Sequence, residues 1–470
     1  MRVSVVVVAL LAIGSASGTE ETRGASTADA GARRVHALLT EDRWEEALSV
    51  AEGDHERFPD SIAVRLALGA ASFRAGHMKD ADRLLSPLAE SRDADPVGLV
   101  LLGRLRNAQG RGREARDLLD RAYARAPDDP EVVYWCAGAA RTREEIVARL
   151  HRFLDLGGGG NDDRIEAAKG KIGLYTALGD RQVWVAVNRP ERVELALTPL
   201  GDGAGGVTAY LVDADMGGRS PVPLMFDTGS TDLFMVKRIA RRRGFEELAI
   251  ETAFGGAGDK RHRSARGLLP TVAIGGVRYA DALTTTTRQD LERTGRFHGV
   301  IGLSFWDGYH ARIDLDDRRL VFDRTLPETE DGLPYWVVSG QMLVEVETST
   351  GHRGLFLFDT GATRSTLSLD FAERIPEARI GDRVTVWGYG GQFRETRAIT
   401  GVGLIFEGRE SSSERLNGVD LSLQSRVSGV EISGLLGLDM LADRTIELDT
   451  RTQRISMTES SQSDKRSKKN

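Results

Sequence analysis

Two stretches decide how this 470-residue chain folds: PVPLMFDTGSTDLFMV at 221–236 and RGLFLFDTGATRSTLSL at 353–369. Each runs an apolar β-type segment, Leu224-Met225-Phe226 in one and Phe356-Leu357-Phe358 in the other, into Asp-Thr-Gly and a small residue. The copies stand 132 positions apart, from Asp227 to Asp359, and Leu211-Val212-Asp213 is echoed at the same offset by Leu343-Val344-Glu345. Further on, GVIGLSFWDGYHARIDL (299–315) matches SGLLGLDMLADRTIELD (433–449), with Gly302 and Gly437 offset by 135. An apolar run that stops at Asp and Gly reads as a strand entering a tight turn. One such tripeptide is a common turn; two in register, each followed by apolar-apolar-Gly (Val300-Ile301-Gly302 and Leu435-Leu436-Gly437), make one β unit present twice.

Outward from these copies, short β-type runs (VWVAV, VELAL, TAYLVDAD) separated by Gly, Pro and Asp begin near Val183, so an all-β region starts there. Units are expected at 183–330 and 334–458, with a polar, disordered tail over 459–470.

The paired pattern resembles the aspartic proteases, retroviral-type and bilobal pepsin-type alike, over roughly residues 205 to 458. The units are about 120 residues each, nearer a retroviral-type subunit than a pepsin-type lobe, which implies two retropepsin-like units fused in tandem. The resemblance implies an aspartic endopeptidase in which Asp227 and Asp359 meet and activate a water with one shared proton, because two carboxyls about 3 Å apart cannot both ionise. It implies no cofactor. Thr228 and Thr360 would cross-link the two loops, and Gly229 and Gly361 would let backbone pass beneath the carboxyls, where a Cβ would crowd the opposite loop. Ser230 would bond the outer oxygen of Asp227; Ala362 cannot do so for Asp359, so Asp359 is expected to carry the proton and Ala362→Ser to lower the basic limb of an acid-centred, bell-shaped pH profile. Gly-rich segments between the landmarks would be flaps: Gly255 and Gly256 in the first unit, and Trp387, Gly388 and Tyr389 in the second, whose aromatic side chains would meet substrate. An ordinary hairpin turn is the alternative for each.

Upstream, a second period stands out. Ala47, Ala81 and Ala115 are 34 apart, as are Gly69 and Gly103, Gly76 and Gly110, Leu85 and Leu119, and Asp95-Pro96 and Asp129-Pro130. This resembles the tetratricopeptide repeat: small residues allow close helix approach, and Asp-Pro ends one helix and starts the next. About three repeats and a degraded fourth are expected over residues 30 to 180. Such an array either recruits a peptide or partner or serves as a spacer that packs on the next domain; both readings stay open at this point. Gly157 to Gly160 reads as a flexible joint rather than a phosphate loop, because no Lys-Ser/Thr follows.

Composition narrows the rest. The net charge of −7 and 40% hydrophobic residues fit a soluble globular protein and not a nucleic-acid binder. Arg2, the apolar run Val5 to Ile13 and the small residues after it have the layout of a signal peptide over 1–18, hence a secreted or periplasmic chain with no stable membrane span expected; an uncleaved anchor is the alternative. The lone Cys136 allows no internal disulfide or thiolate metal site, the eight scattered His offer no ligand spacing, and no metal is expected. Asp314, Asp316, Asp317, Glu447 and Asp449 are expected on solvated faces or turns. The fold expected is thus multidomain: an N-terminal all-α helical-repeat array and a C-terminal all-β two-lobed aspartic protease fold whose partners are peptide or protein substrates. The rival function is a non-catalytic peptide-binding or adaptor protein on the same fold. Since residues 180–458 hold both Asp-Thr-Gly loops, that segment alone is expected to be active as a monomer.

Overall fold

The computed structural model describes residues 21–91, 94–201, 206–254, 261–287, 296–388, 391–393, 395–411 and 415–459, with side chains undescribed at 21–26, 253–254, 261–262, 387–388 and 391–392. The signal-peptide segment and residues 460–470 lie outside these. Glu459, expected in the tail, is the last residue of a strand and pairs with Arg444.

The 34-residue period becomes helices for local reasons. Asp95 caps Pro96–Ala108, its Oδ1 accepting from the amides of Val97 (2.8 Å) and Gly98 (3.2 Å). Asp129 does the same for Pro130–Ala137, from Glu131 (2.8 Å) and Val132 (3.2 Å). Each carboxylate thereby satisfies two amides that have no partner within the helix, and proline takes the first position, where no amide is needed. The described helices are α1 (Glu21–Thr40), α2 (Trp44–Arg57), α3 (Ile62–Arg74), α4 (Met78–Ala89), α5 (Pro96–Ala108), α6 (Gly112–Arg125), α7 (Pro130–Ala137), α8 (Arg143–Asp155) and α9 (Asp162–Leu178). A Cβ on Gly69 would lie 2.7 Å from Leu85, and one on Gly103 2.7 Å from Leu119, so each glycine lets the next helix close in. Gly157 to Gly160 form one tight turn between α8 and α9 with φ of +60 to +77°, a conformation that favours glycine. Among the described residues, no helix is long and apolar enough to cross a membrane.

The β region repeats one connectivity. In the first lobe, Val222–Phe226 leads to Asp227 and pairs in parallel with Gly299–Ile301, which also pairs antiparallel with Leu233–Val236. In the second, Arg353–Phe358 leads to Asp359 and pairs in parallel with Gly434–Leu436, antiparallel in turn to Thr366–Ser368. Among the described residues these belong to sheets of nine and ten strands. A six-stranded sheet stitches the lobes together: His310–Asp314 of the first lies antiparallel to Arg444–Asp449 of the second, from His310↔Asp449 to Asp314↔Thr445. Asp314 and Asp449 end these strands and are buried, not solvated. Asp314 accepts from the Asp317 amide and the Thr445 hydroxyl, and Asp449 from Thr329 and Arg451. Strand ends that turn inside a shared sheet leave amides needing acceptors, which a buried carboxylate supplies.

The array is not a separate body. Trp336, Val338, Leu343, Leu355, Leu357 and Val430 of the second lobe share one buried cluster with apolar residues of α3 to α7, among them Phe73, Leu85, Leu105, Leu119 and Val132. Polar contacts ring that cluster. The Arg104 guanidinium stacks 3.5 Å from the Trp135 ring centre and donates to the Ser428 carbonyl (3.0 Å); Arg74 donates to the Gly429 carbonyl (3.2 Å), and the Glu431 amide donates to the Arg74 carbonyl (2.7 Å). Burial alone would raise the Glu131 carboxyl, but Arg164 and Arg74 overcome it and hold it at about 2. On the first lobe, Leu174 and Leu178 of α9 pack with Leu268. The array therefore covers one face of the second lobe, whose other core residues pack in a cluster without it; cut free, the six side chains named above would lose that cover, which weighs against the expectation that residues 180–458 stand alone.

Candidate active site

The two Asp-Thr-Gly turns meet between the lobes. Each Asp is held from behind by the strand that its apolar run pairs with: the Asp227 amide donates to the Ile301 carbonyl (3.1 Å) and the Asp359 amide to the Leu436 carbonyl (3.0 Å). The apolar-apolar-Gly elements thus do more than pack, since their carbonyls fix the backbone of the Asp-Thr-Gly turns. That contact is foreshadowed by nothing but the return of the same apolar-apolar-Gly pattern downstream of each turn. The following glycine must be bare: a Cβ on Gly302 would sit 2.1 Å from the Ser230 carbonyl oxygen, and one on Gly437 2.7 Å from the Arg364 carbonyl carbon.

Thr228 and Thr360 interlock. The Thr228 amide donates to the Thr360 hydroxyl (3.1 Å) and the Thr360 amide to the Thr228 hydroxyl (3.0 Å). Each hydroxyl passes its own proton across the junction, Thr228 to the Phe358 carbonyl (2.7 Å) and Thr360 to the Phe226 carbonyl (3.2 Å). Four hydrogen bonds among groups at most 2% exposed form a closed network in which every member is satisfied, and such a network resists distortion.

Above this junction lie the carboxyls, Asp227 at 3% and Asp359 at 9% exposure. The Gly229 amide donates to Asp227 Oδ1 and the Gly361 amide to Asp359 Oδ1, both at 2.8 Å. Asp359 Oδ1 also accepts from the Ala362 amide at 2.9 Å. A Cβ on Gly229 would lie 2.8 Å from the Asp359 carboxyl carbon, and one on Gly361 2.7 Å from that of Asp227, so each glycine gives room to the opposite acid. Burial, then the Asp227 charge and its hydrogen bond, push the Asp359 carboxyl well above the ordinary carboxylate range, against the opposing pull of the Gly361 and Ala362 amides. The causes that raise Asp359 are thus burial and its neighbour's charge rather than the missing hydroxyl that its sequence suggests. Ser230 turns its hydroxyl to the Asp232 carbonyl (3.3 Å), where its expected acceptor was the outer oxygen of Asp227. Two residues beyond a tight turn, a backbone carbonyl lies within reach of a short side chain, and it competes with the carboxylate.

Of the flap residues, Gly255, Gly256 and Tyr389 lie outside the described residues. Trp387 and Gly388 are described by backbone alone, as a two-residue strand paired with Gly391–Gln392. Among the described residues, no group of three or more His, Cys, Asp or Glu side chains is placed to hold a metal ion. Cys136 is buried away from the dyad, and burial pushes its thiol up to about 12.

Residues 212–305 match the family model described as Aspartyl protease, and residues 96–139 that described as Tetratricopeptide repeat. Among solved structures, the chain is similar to an aspartic proteinase from Irpex lacteus, at 14% identity over 57% of this chain and 98% of that one with a TM-score of 0.37. A retropepsin-like aspartic protease from Rickettsia conorii is 19% identical over 30% of this chain and 96% of that one, TM-score 0.22. The MamA protein is 15% identical over 33% and 81%, TM-score 0.25. No curated protein matches. An aspartyl protease region thus follows a tetratricopeptide repeat in this chain.

Proposed function

We propose that the protein is an aspartic endopeptidase. The observation that carries this reading is the buried pair of carboxyls, each seated on its own glycine amide and joined beneath by the threonine interlock, with Asp359 pushed toward its neutral form by its neighbour. In that state Asp227 takes a proton from water while Asp359 protonates the carbonyl oxygen of the scissile peptide, so one proton shared between two acids serves both steps. The fixed amides and interlock keep the loops from rearranging during the reaction, which is what preorganised catalysis needs. For the repeats, the shared cluster with the second lobe favours a packing role over recruitment. Export rests on the charged, apolar and small-residue layout of residues 1–18.

The test is incubation of the protein with a peptide library at several pH values beside Asp227→Asn. Cleavage by the wild type in an acid-centred range, absent from the variant, is the expected result; equal cleavage by both would assign the activity to something else.

A further inference from the structure

One guanidinium ties the first Asp-Thr-Gly turn to its own sheet. Arg266 stands on the strand Arg261–Ile274, opposite Thr285 of Val277–Thr287, and that strand runs parallel to Leu233–Val236 with Thr285 opposite Phe234. The Arg266 side chain donates to the Thr285 hydroxyl at 2.8 Å and continues across Thr285 to the Asp232 carboxyl, 3.4 Å away at the head of Leu233–Val236. Its Nε lies 3.6 Å from Glu251 on Glu246–Phe254. With 18% of its side chain exposed, Arg266 thus joins three strands to the end of the turn.

Asp232 is where that joint meets the carboxyl pair. Its carbonyl accepts from the Ser230 hydroxyl (3.3 Å), and the Ser230 amide donates to the Asp227 carbonyl (3.1 Å). On its other side begins Leu233–Val236, which pairs with Gly299–Ile301, and the Ile301 carbonyl holds the Asp227 amide (3.1 Å). A shift of Asp232 therefore reaches Asp227 from two directions. Of the two acids on Arg266, Glu251 is the weaker holder, since burial pushes its carboxyl up against the pull of Arg266 and Lys171. Glu251 also lies against the array: a Cβ on Gly170 of α9 would be 3.1 Å from its Cγ. The second copy carries Arg364 where the first has Asp232, so the same pair cannot form there.

We propose that Arg266 is a positioning residue of the carboxyl pair: by holding Asp232 it fixes where the first Asp-Thr-Gly turn ends, and so how Asp227 faces Asp359. The inference rests on the peptidase reading, whose site it deepens. A guanidinium is a rigid fork whose donors serve two acceptors at once, here the Thr285 hydroxyl and the Asp232 carboxyl, which a single ammonium matches only in part. Without it, Asp232 has no ion pair among the described residues, and the end of the turn is released.

The experiment uses the full chain and reads geometry apart from charge. Replacing both partners, Arg266→Gln with Asp232→Asn, leaves the sum of local charge as it was and removes the tether. Carbon-13 NMR of labelled aspartate follows the carboxyl signal that disappears in Asp359→Asn. Its midpoint should fall in the double variant, because a looser pair shares its proton less firmly, and Arg266→Lys should keep part of the wild-type value. On peptides, Arg266→Gln should lower kcat by on the order of tenfold with KM little changed, and the double variant should lose no more than Arg266→Gln alone, as residues acting through one contact do. Should the double variant fail to fold, Asp232→Asn alone cuts the tether from its more exposed side and should show the same fall in kcat. An unmoved midpoint in the folded variant, or losses in kcat that add, overturns the proposal. A lowered midpoint in a protein whose wild type cleaves no peptide keeps the positioning role and sinks the peptidase; cleavage by the wild type with an unmoved midpoint does the reverse.

Discussion

Deleting the helical array should unfold the second lobe. The perturbation is a chain that begins at about residue 180, keeping both Asp-Thr-Gly loops and losing α1 to α9. Trp336, Val338, Leu343, Leu355, Leu357 and Val430 are then left without the helices that share their cluster. Full burial of such side chains stabilises by ~1.5–3 kcal/mol each, so if half of each burial is owed to the helices the loss is roughly 5–9 kcal/mol. A whole domain has about 5–15 kcal/mol to lose. The hydrogen bonds from Arg74 and Arg104 to the 428–429 backbone go too, five residues before the strand whose carbonyl fixes Asp359. Urea unfolding followed by tryptophan fluorescence checks this, with Trp336 and Trp387 reporting from the second lobe. The shortened chain should show no cooperative transition for that lobe, or one displaced to much lower urea. A shortened chain that unfolds cooperatively at the full-length midpoint would refute the reasoning and restore the array to the status of a detachable recruiter.

Other outcomes follow from the site. Asp359→Asn should abolish cleavage and raise stability at neutral pH. A carboxyl whose pKa is raised on folding contributes stability fully below its unfolded value, near 3.8, and loses it as pH rises through the folded value, so thermal unfolding at pH 7 should favour the variant; a lower melting temperature than wild type counts against the buried, proton-holding role. Ala362→Ser should leave the basic limb of the rate profile where it is, because by the example of Ser230 the new hydroxyl finds a backbone carbonyl; a measured downward shift would return that role to the serine. Glu431, at the junction with the array, is raised by burial from 4.5 to about 7 despite Arg374. Its contribution is therefore present below about pH 4.5 and lost through about pH 7, worth about 3 kcal/mol at 1.36 per pH unit. Glu431→Gln should flatten the fall in urea midpoint between those pH values, and parallel curves for the two proteins would show that the group does not titrate there.

What could be read beforehand was whatever depends on local pattern. Asp95-Pro96 and Asp129-Pro130 announce helix starts because capping is a contact within three residues, and Gly69 and Gly103 announce close packing because only glycine fits there. The paired Asp-Thr-Gly turns were legible because the chain states them twice. The contacts that escaped are those in which two correct local readings meet at long range. Val338 and Leu355 read as ordinary inward positions of a strand, and nothing in their neighbourhood says that the surface over them comes from helices more than 200 residues earlier. Ser230 was misjudged for a different reason, since a hydroxyl that can reach two acceptors is decided by angles that sequence does not carry. Asp314 and Asp449 looked like polar strand ends, and their burial became visible only once the sheet they share was assembled.

The threonine interlock also sets when the carboxyl pair can first assemble. Residue 228 has left the ribosome long before residue 360, and at ~5–20 residues per second the wait for the partner hydroxyl is roughly 7–26 s, with Leu436 and the last strand later still. Until then Asp227 has neither the second acid nor the crossed hydrogen bonds that hold its loop. A chain that ends before Leu436 lacks the carbonyl that holds the Asp359 backbone. Fusing the two units in one chain thus makes assembly of the carboxyl pair wait on the order of synthesis.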